Sequence, residues 1–476
     1  MDLFGRVLTV EASKAEWEAV MKEIERFRLY KAEYDRAADM VSLQEINAVI
    51  EAHIEDDDVV YALVYPAAWK YLEPHVTEMG DKLKAQFEAY RDIKVRDHGY
   101  TLRDYQVEAV KTFMMRKAAT VALPTGAGKT VVALEVIKRI AKRTLVLVPT
   151  RVLAKQWKER LEKFVDAGLY PDEKDADVVI ATYQSFRHWS DFRDFYLVIA
   201  DEGHHLPAQK WWQIAKYNIF PSRLVLTATP YRSDKNHVAI LWWTVHQLYR
   251  KTYTELMEKG YLARLEIKVV WVNPRNQTRL MELESLYESL RGQDKRTARV
   301  KWQMKKLLLT DLAKVEAVRY LVGLHRDEKK IIFVPTIEAA KLYYNSLIDH
   351  RPAVLVGQGR EREFPGARTI DDFRAGATKL LIATQAGEEG VDIPDASVEI
   401  MLDAPSDRQL IQRIGRVARP KPNPAVVYFV FAKGARLDIR AWKRLKISLY
   451  EAGIDVKPQH YEYVPDKNEL TDPNFS

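Results

Sequence analysis

Lys129 and Thr130 close a glycine-containing loop in the run Val121-Ala-Leu-Pro-Thr-Gly-Ala-Gly-Lys-Thr130, and the apolar start of a helix follows them. Such a loop suits phosphate oxygens. Gly126 and Gly128 let the backbone turn tightly, so that N–H groups from Thr125, Gly126, Ala127 and Gly128 converge on an anion beside the positive end of the helix. A lysine here supplies a point charge to the β- and γ-phosphates, and a threonine hydroxyl supplies a ligand for magnesium. The usual pattern begins with glycine where this chain has Leu123, so the match is to a relaxed form. The competing reading of this stretch alone is an ordinary strand–turn–helix corner.

A second chemical group stands 72 positions downstream of Lys129, where the apolar run Phe195-Tyr-Leu-Val-Ile-Ala200 ends in Asp201-Glu202-Gly203-His204. Acids at the exposed end of a buried parallel strand can hold magnesium, the role expected of Asp201, and polarise the attacking water, the role expected of Glu202. The alternatives are an acidic pair at a helix start, or His204 and His205 as zinc ligands. Zinc is disfavoured because the chain has no cysteine and no further spaced histidine cluster.

The third group is Gln412-Arg-Ile-Gly-Arg-Val-Ala-Arg419. Arg413, Arg416 and Arg419 recur every three residues, so on a helix they are expected to line one face and point at a common anion. With Gln412 they could stabilise charge on a transferred phosphoryl group, although a basic helical face is more often solvated surface.

Positioning these groups requires strands and helices in alternation. Apolar runs at Ala119–Leu123, Thr144–Val148, Asp177–Ile180, Leu197–Ala200 and Arg223–Thr227 predict one parallel sheet covered by helices. Runs at Leu265–Val272, Lys330–Val334, Ala353–Val356, Lys379–Ala383, Val398–Leu402 and Ala425–Phe431 predict a second. The fold class is therefore α/β. Four segments are expected: an α+β module over 1–90, a first domain over 91–245, a second over 246–435 with a helical insertion at 276–325, and a tail over 436–476 packed on the second domain. The acidic patch Glu55-Asp-Asp-Asp58 reads as a solvated turn. The pairs Trp211-Trp212 and Trp242-Trp243, and His188 with Trp189, read as packing residues.

Composition bounds the partners. The chain has 476 residues, 47% of them hydrophobic, with 74 basic against 67 acidic side chains and a formal charge of +7. That is too long for one core, and the balance favours a polyanionic partner over a surface of mixed sign. Disulfides and thiolate metal sites are excluded. No signal peptide or apolar run of about eighteen residues is present, so no membrane role and a cytoplasmic, nucleoid-associated location are expected.

The order of these motifs resembles that of superfamily 2 helicases and translocases across residues 100–435. Leu102-Arg-Asp-Tyr-Gln106 resembles the adenine-reading element, with Gln106 and Arg103 as contacts. Pro149-Thr-Arg-Val-Leu153 and Thr182-Tyr-Gln-Ser-Phe186 resemble strand-end loops that hold a nucleic-acid backbone, which points to Thr150, Arg151, Thr182 and Gln184. Thr227-Ala-Thr-Pro230 resembles the motif coupling ATP to strand binding. Ile331-Ile-Phe-Val-Pro-Thr336 and Ala383-Thr-Gln-Ala-Gly-Glu-Glu-Gly-Val-Asp-Ile-Pro394 resemble second-domain motifs, with Thr336 and Thr384 near the strand and Asp392 near the nucleotide. The resemblance implies two RecA-like motor domains that use ATP and Mg²⁺, with ATP bound between them and Arg416 and Arg419 as arginine fingers.

Within the superfamily the chain resembles the XPB type of DNA-repair helicase, in its short archaeal forms. The histidine-ended acid motif and Leu256-Met-Glu-Lys-Gly-Tyr-Leu-Ala263 carry the likeness. That family has Arg-Glu-Asp after the coupling motif; here the residues are Arg232, Ser233 and Asp234, of which Arg232 and Asp234 remain candidates for DNA contact. The resemblance implies a damage-sensing N-terminal module, a thumb-like insertion gripping DNA through residues such as Arg296 and Arg299, single-stranded or forked DNA as substrate, and a nuclease partner. The N-terminal module reads equally well as a packing or docking domain. An RNA helicase, a restriction-type translocase on duplex DNA and a non-catalytic DNA-binding scaffold stay open as rivals.

Overall fold

The computed structural model describes residues 8–25, 29–35, 40–46, 49–55, 59–64, 69–185, 194–206, 219–228, 240, 243–245, 247–290, 294–357, 360–384, 396–403, 405, 407–418, 421 and 423–472. The chain divides into two compact units, one of residues 1–123 and 128–251, the other of residues 252–476 with 124–127.

The first unit begins with an antiparallel module. Strands β1 (Leu8–Ser13), β4 (Val49–Glu55), β5 (Val59–Val64) and β6 (Val76–Met79) form a sheet in the order β4-β5-β1-β6, while β2 (Leu29–Asp35) and β3 (Met40–Ile46) pair as a separate ladder. A helix at Lys14–Glu25 follows β1 directly. The later helix Asp81–Glu88 docks through buried Gln86, whose amide nitrogen donates to the Ile219 carbonyl at 2.5 Å.

The larger sheet of this unit comprises β7 (Ala118–Ala122), β8 (Thr144–Val148), β9 (Ala167–Leu169), β10 (Val178–Thr182), β11 (Leu197–Asp201), β12 (Ser222–Thr227) and β13 (Leu248–Arg250), in the order β13-β7-β12-β11-β8-β10-β9. All its pairings are parallel. The physical reason lies in the runs themselves: β7, β8, β10, β11 and β12 are buried along their whole length, which suits strands covered by helices on both faces.

Register then fixes where the chemistry lies. Thr227 pairs with Ala122, Asp201 with Leu226, Ala200 with Leu147, and Thr182 with Val148. Because the strands are parallel, the loop after β7, the acids of β11, Thr227 at the end of β12 and the loops after β8 and β10 all emerge at one carboxyl edge.

The second unit repeats the scheme. Its strands are β14 (Leu265–Val272), β15 (Lys330–Val334), β16 (Ala353–Leu355), β17 (Leu380–Thr384), β18 (Val398–Met401), β19 (Ala425–Ala432), β20 (Gln459–Val464) and β21 (Glu469–Thr471), in the order β16-β17-β15-β18-β19-β14-β20-β21. Only β20 with β21 is antiparallel among the described pairs. The segment after β14 is helical, at Gln277–Ser289, Asp294–Leu309 and Leu312–Leu324. A buried pair, Lys314 with Asp438 at 2.7 Å, ties the last of these to the helix Arg436–Glu451; Asp438 also accepts from the Ala432 N–H, so neither charge lacks compensation. Among the described residues no helix is long and apolar enough to cross a membrane.

Candidate functional site

The loop between β7 and the helix Lys129–Ile140 has the backbone its sequence demands. Gly126 and Gly128 have φ of 83° and 78°, a region that side chains disfavour, and Gly128 caps the helix. A Cβ on Gly128 would lie 2.5 Å from Gln106 Nε2, so a larger residue would displace the Gln106 amide. The Lys129 ammonium donates to the Leu123 carbonyl at 3.1 Å, across the loop it closes. Leu123 in turn donates its N–H to the Thr227 carbonyl, which ties the start of the loop to the end of β12. The Thr125 hydroxyl is buried without a hydrogen-bond partner among the described residues, an arrangement that a phosphate oxygen would satisfy.

Asp201 ends β11 and is buried. Its Oδ2 accepts from the Trp157 indole N–H at 2.9 Å and its Oδ1 from the Glu202 N–H at 3.0 Å, while its carbonyl accepts from the Tyr183 hydroxyl at 2.8 Å. Burial first, and then the charge of Glu202, push the Asp201 carboxyl up to about 6, against the pull of Trp157 and of the Lys129 ammonium. A cation bound at this carboxylate would reverse that balance. Glu202 sits at φ 50°, ψ 51°, a left-handed conformation that costs a non-glycine residue about 1–2 kcal/mol and turns the chain away from the strand.

Gly203 must be glycine because a Cβ there would stand 2.1 Å from Val225 Cγ1 on the neighbouring β12. Thr130 accepts from Arg160 at 3.3 Å. Gln106 is buried; its carbonyl oxygen takes the Arg103 N–H at 3.0 Å and its amide reaches the Gly128 carbonyl at 3.5 Å. One edge of the first unit thus carries Gln106, Lys129, Thr130, Asp201 and Glu202. The Lys129 ammonium is a donor that a phosphate could use, and Thr130 and Asp201 are oxygen groups of the kind that could hold Mg²⁺.

The strand-end loops share a local design. Thr150 and Thr336 both follow a Val-Pro step, and both adopt φ −135° with ψ 154° and 156°. Each caps a helix, accepting from Leu153 at 3.3 Å and from Ala339 at 3.2 Å. Arg151 is exposed beside the first cap. Thr182 is buried and shares a 2.5 Å hydrogen bond with Ser185, Gln184 is exposed, and Thr384 ends β17 buried. Arg296 and Arg299 are exposed on the helix Asp294–Leu309.

On the helix Asp407–Val417, Gln412 and Arg416 are half-buried. Arg413 is buried, its guanidinium 4.3 Å from the centre of the Phe333 ring, at a cleft that Thr336 and Gln409 also line. The three-residue step leaves Arg413 and Arg416 about 60° apart around the helix axis. Arg419, Asp392, Arg232 and Asp234 lie outside the described residues, as do Trp211, Trp212, Trp242, His188 and Trp189. Trp243 is buried against Phe220 and Arg223, as a packing residue.

Sequence reasoning missed Trp157, Tyr183, Arg160 and the need for Gly203. Ala154, Trp157 and Leu161 form the buried stripe of the helix Arg151–Leu161, and nothing in that pattern marks Trp157 as an acid's partner.

Two parallel-sheet units carrying a phosphate loop, an acid pair and paired strand-end loops define a superfamily 2 helicase-class motor. Comparisons agree. Residues 99–232 match the family described as "Type III restriction enzyme, res subunit", and residues 313–421 match "Helicase conserved C-terminal domain". The solved helicase domain of Pyrococcus furiosus Hef aligns with a TM-score of 0.51 at 19% identity, over 72% of this chain and 98% of that one, which supports the fold. The "DNA 3'-5' translocase XPB2" of Sulfurisphaera tokodaii is 32% identical over 366 residues, 70% of this chain and 82% of that protein. The "DNA 3'-5' helicase XPB" of Mycobacterium tuberculosis is 27% identical over 430 residues, 84% and 73% respectively. This chain belongs to the XPB family of superfamily 2 helicases, and it is an ATP-hydrolysing enzyme.

Proposed function

We propose that the chain is an ATP-dependent DNA helicase or translocase that opens or remodels single-stranded or forked DNA in excision or transcription-linked repair, together with a nuclease partner. The likeness to a DNA translocase and a DNA helicase supports DNA as the substrate. The observation that carries the reading is the carboxyl edge of the first sheet, where phosphate loop, buried acid and strand-contact loops converge by register.

The roles follow from chemistry. Lys129 neutralises the β- and γ-phosphates, and the N–H groups of Thr125, Gly126, Ala127 and Gly128 hold their oxygens. Thr130 and Asp201 would hold Mg²⁺, which when bound would supply charge neutralisation at the transferred phosphoryl group. Glu202 polarises the attacking water; its left-handed backbone supports a role that fixes the side chain's direction. Arg103 and Gln106 read the adenine, and Gln412, Arg416, Arg419 and Asp392 carry the catalytic and nucleotide-contacting roles that the family likeness implies. Thr150, Arg151, Thr182, Gln184, Arg232, Asp234, Thr336, Thr384, Arg296 and Arg299 contact the DNA, mainly through phosphates, so affinity is salt-dependent and sequence-independent.

The domains proposed are a damage-sensing module over 1–90, motor domains over 91–245 and 246–435 with the thumb-like insertion at 276–325, and a tail over 436–476. Lys129→Ala and Glu202→Gln are expected to lower ATP hydrolysis by at least about 10²-fold while leaving the fold intact by circular dichroism. Hydrolysis at the parental rate by either variant would defeat the assignment.

A further inference from the structure

On the helix Asp294–Leu309, Val300, Met304 and Leu308 are buried at four-residue intervals and define the inward stripe. Trp302 lies about 200° around the axis from that stripe. It is 53% exposed, an unusual place for the largest apolar side chain when the same helix has a core to bury it in. Its neighbours on that outer side are Lys305 and Lys306, and the Lys306 ammonium stands 5.2 Å from the centre of the indole ring.

Trp302 borders a cleft of about 340 Å³ within the second unit, whose lining also includes Lys305, Lys306, Pro335, Thr336 and Arg413. The lysines lean on acids at its walls, Lys305 on Asp403 at 2.9 Å and Lys306 on Glu338 at 3.7 Å. Both pairs are partly exposed, so a phosphate can replace the carboxylate at little cost. An aromatic face, movable ammonium groups and a strand-end threonine are the three components of a single-strand subsite: stacking for the base, cations for its phosphate, and a backbone loop for register. The helix otherwise presents Arg296, Arg299 and Lys301 to solvent, a charge pattern that favours a polyanion over an apolar protein partner.

We infer that Trp302 stacks on an unpaired DNA base held in this cleft, with Lys305 and Lys306 on the adjoining phosphate. The inference rests on the DNA reading and names a contact within it: a base held against the second motor unit gives a step along the strand something to grip besides backbone charge.

The test measures binding of a labelled single-stranded oligonucleotide to the full chain, by anisotropy, with Trp302→Ala and Trp302→Phe, and repeats it on an all-abasic strand of equal length. Trp302→Ala is expected to weaken binding to the normal strand roughly ten- to hundredfold. Trp302→Phe should recover most of the loss, and ATP hydrolysis without DNA should stay at the parental rate. On the abasic strand the parent and Trp302→Ala should bind alike. Affinity of Trp302→Ala within about twofold of the parent on the normal strand, or a gap that persists without bases, overturns the stacking role and leaves the DNA reading standing. A parent chain that neither binds single-stranded DNA nor responds to it overturns both.

Discussion

Replacing Gly203 by alanine places a methyl group where the structure has no room. The added Cβ would lie 2.1 Å from Val225 Cγ1, against the roughly 3.5–4.0 Å of an ordinary carbon contact. Val225 cannot retreat easily. It is fully buried on β12, paired with Ala200 on one side and Thr120 on the other. The expected cost is that of overpacking a rigid core, about 1–3 kcal/mol, which lowers the melting temperature by about 1–3 °C for a chain of this size. The strain falls one and two residues from Glu202 and Asp201, so ATP hydrolysis should drop by far more than the stability loss implies, up to about 10²-fold for a displacement near 1 Å. Thermal unfolding and steady-state ATPase measure the two effects. Val225→Ala removes the clashing methyl, so the double variant should be at least about 1 kcal/mol more stable than the sum of the singles. Wild-type stability and activity in Gly203→Ala, or strict additivity in the double variant, would refute the reasoning.

The buried Asp201 makes nucleotide-free protein pH-sensitive. Its carboxyl is raised from 3.8 to about 6, so between those values the folded state keeps a proton that the unfolded state has lost, and stability falls as pH rises through that window. Asp201→Asn removes the dependence: relative to the parent it should gain about 1–2 kcal/mol between about pH 5 and pH 7.5 in urea unfolding without magnesium, and an unchanged difference across that range would contradict the assignment. Trp157→Phe removes an N–H that favours the ionised form and should carry the same transition to higher pH, with a transition that stays in place counting against the Trp157 contact.

Much of this architecture is legible in the residue order. The strands β8, β14 and β15 begin and end where their apolar runs do, and β7, β10, β11, β12, β16, β17, β18 and β19 differ by no more than two residues at either end, because parallel strands covered by helices are near-continuous apolar runs. The short strands β9 and β13 escape notice: Ala167–Leu169 has a central glycine, and Leu248–Arg250 is half-buried throughout and ends in an arginine, so neither reads as an apolar run. β20 and β21 escape for another reason: Gln459–Val464 is largely half-exposed and polar, and β20 is recruited beside β14 by pairing along the backbone. Lys129, Thr130, Asp201 and Glu202 announce themselves because phosphate and water chemistry restricts the residue type. Trp157 and Gly203 do not, because their importance arises from register and packing between segments far apart in sequence. The paired caps at Thr150 and Thr336 sit between these cases: the Val-Pro-Thr repeat is visible, and its shared conformation is not.

ATP hydrolysis measured with no nucleic acid, single-stranded DNA, forked DNA and RNA, with Lys129→Ala as the blank, decides whether the chain is a DNA motor. Hydrolysis is expected to be stimulated by DNA well above RNA and abolished in the blank. Equal or greater stimulation by RNA would contradict the DNA motor while leaving the ATP site in place.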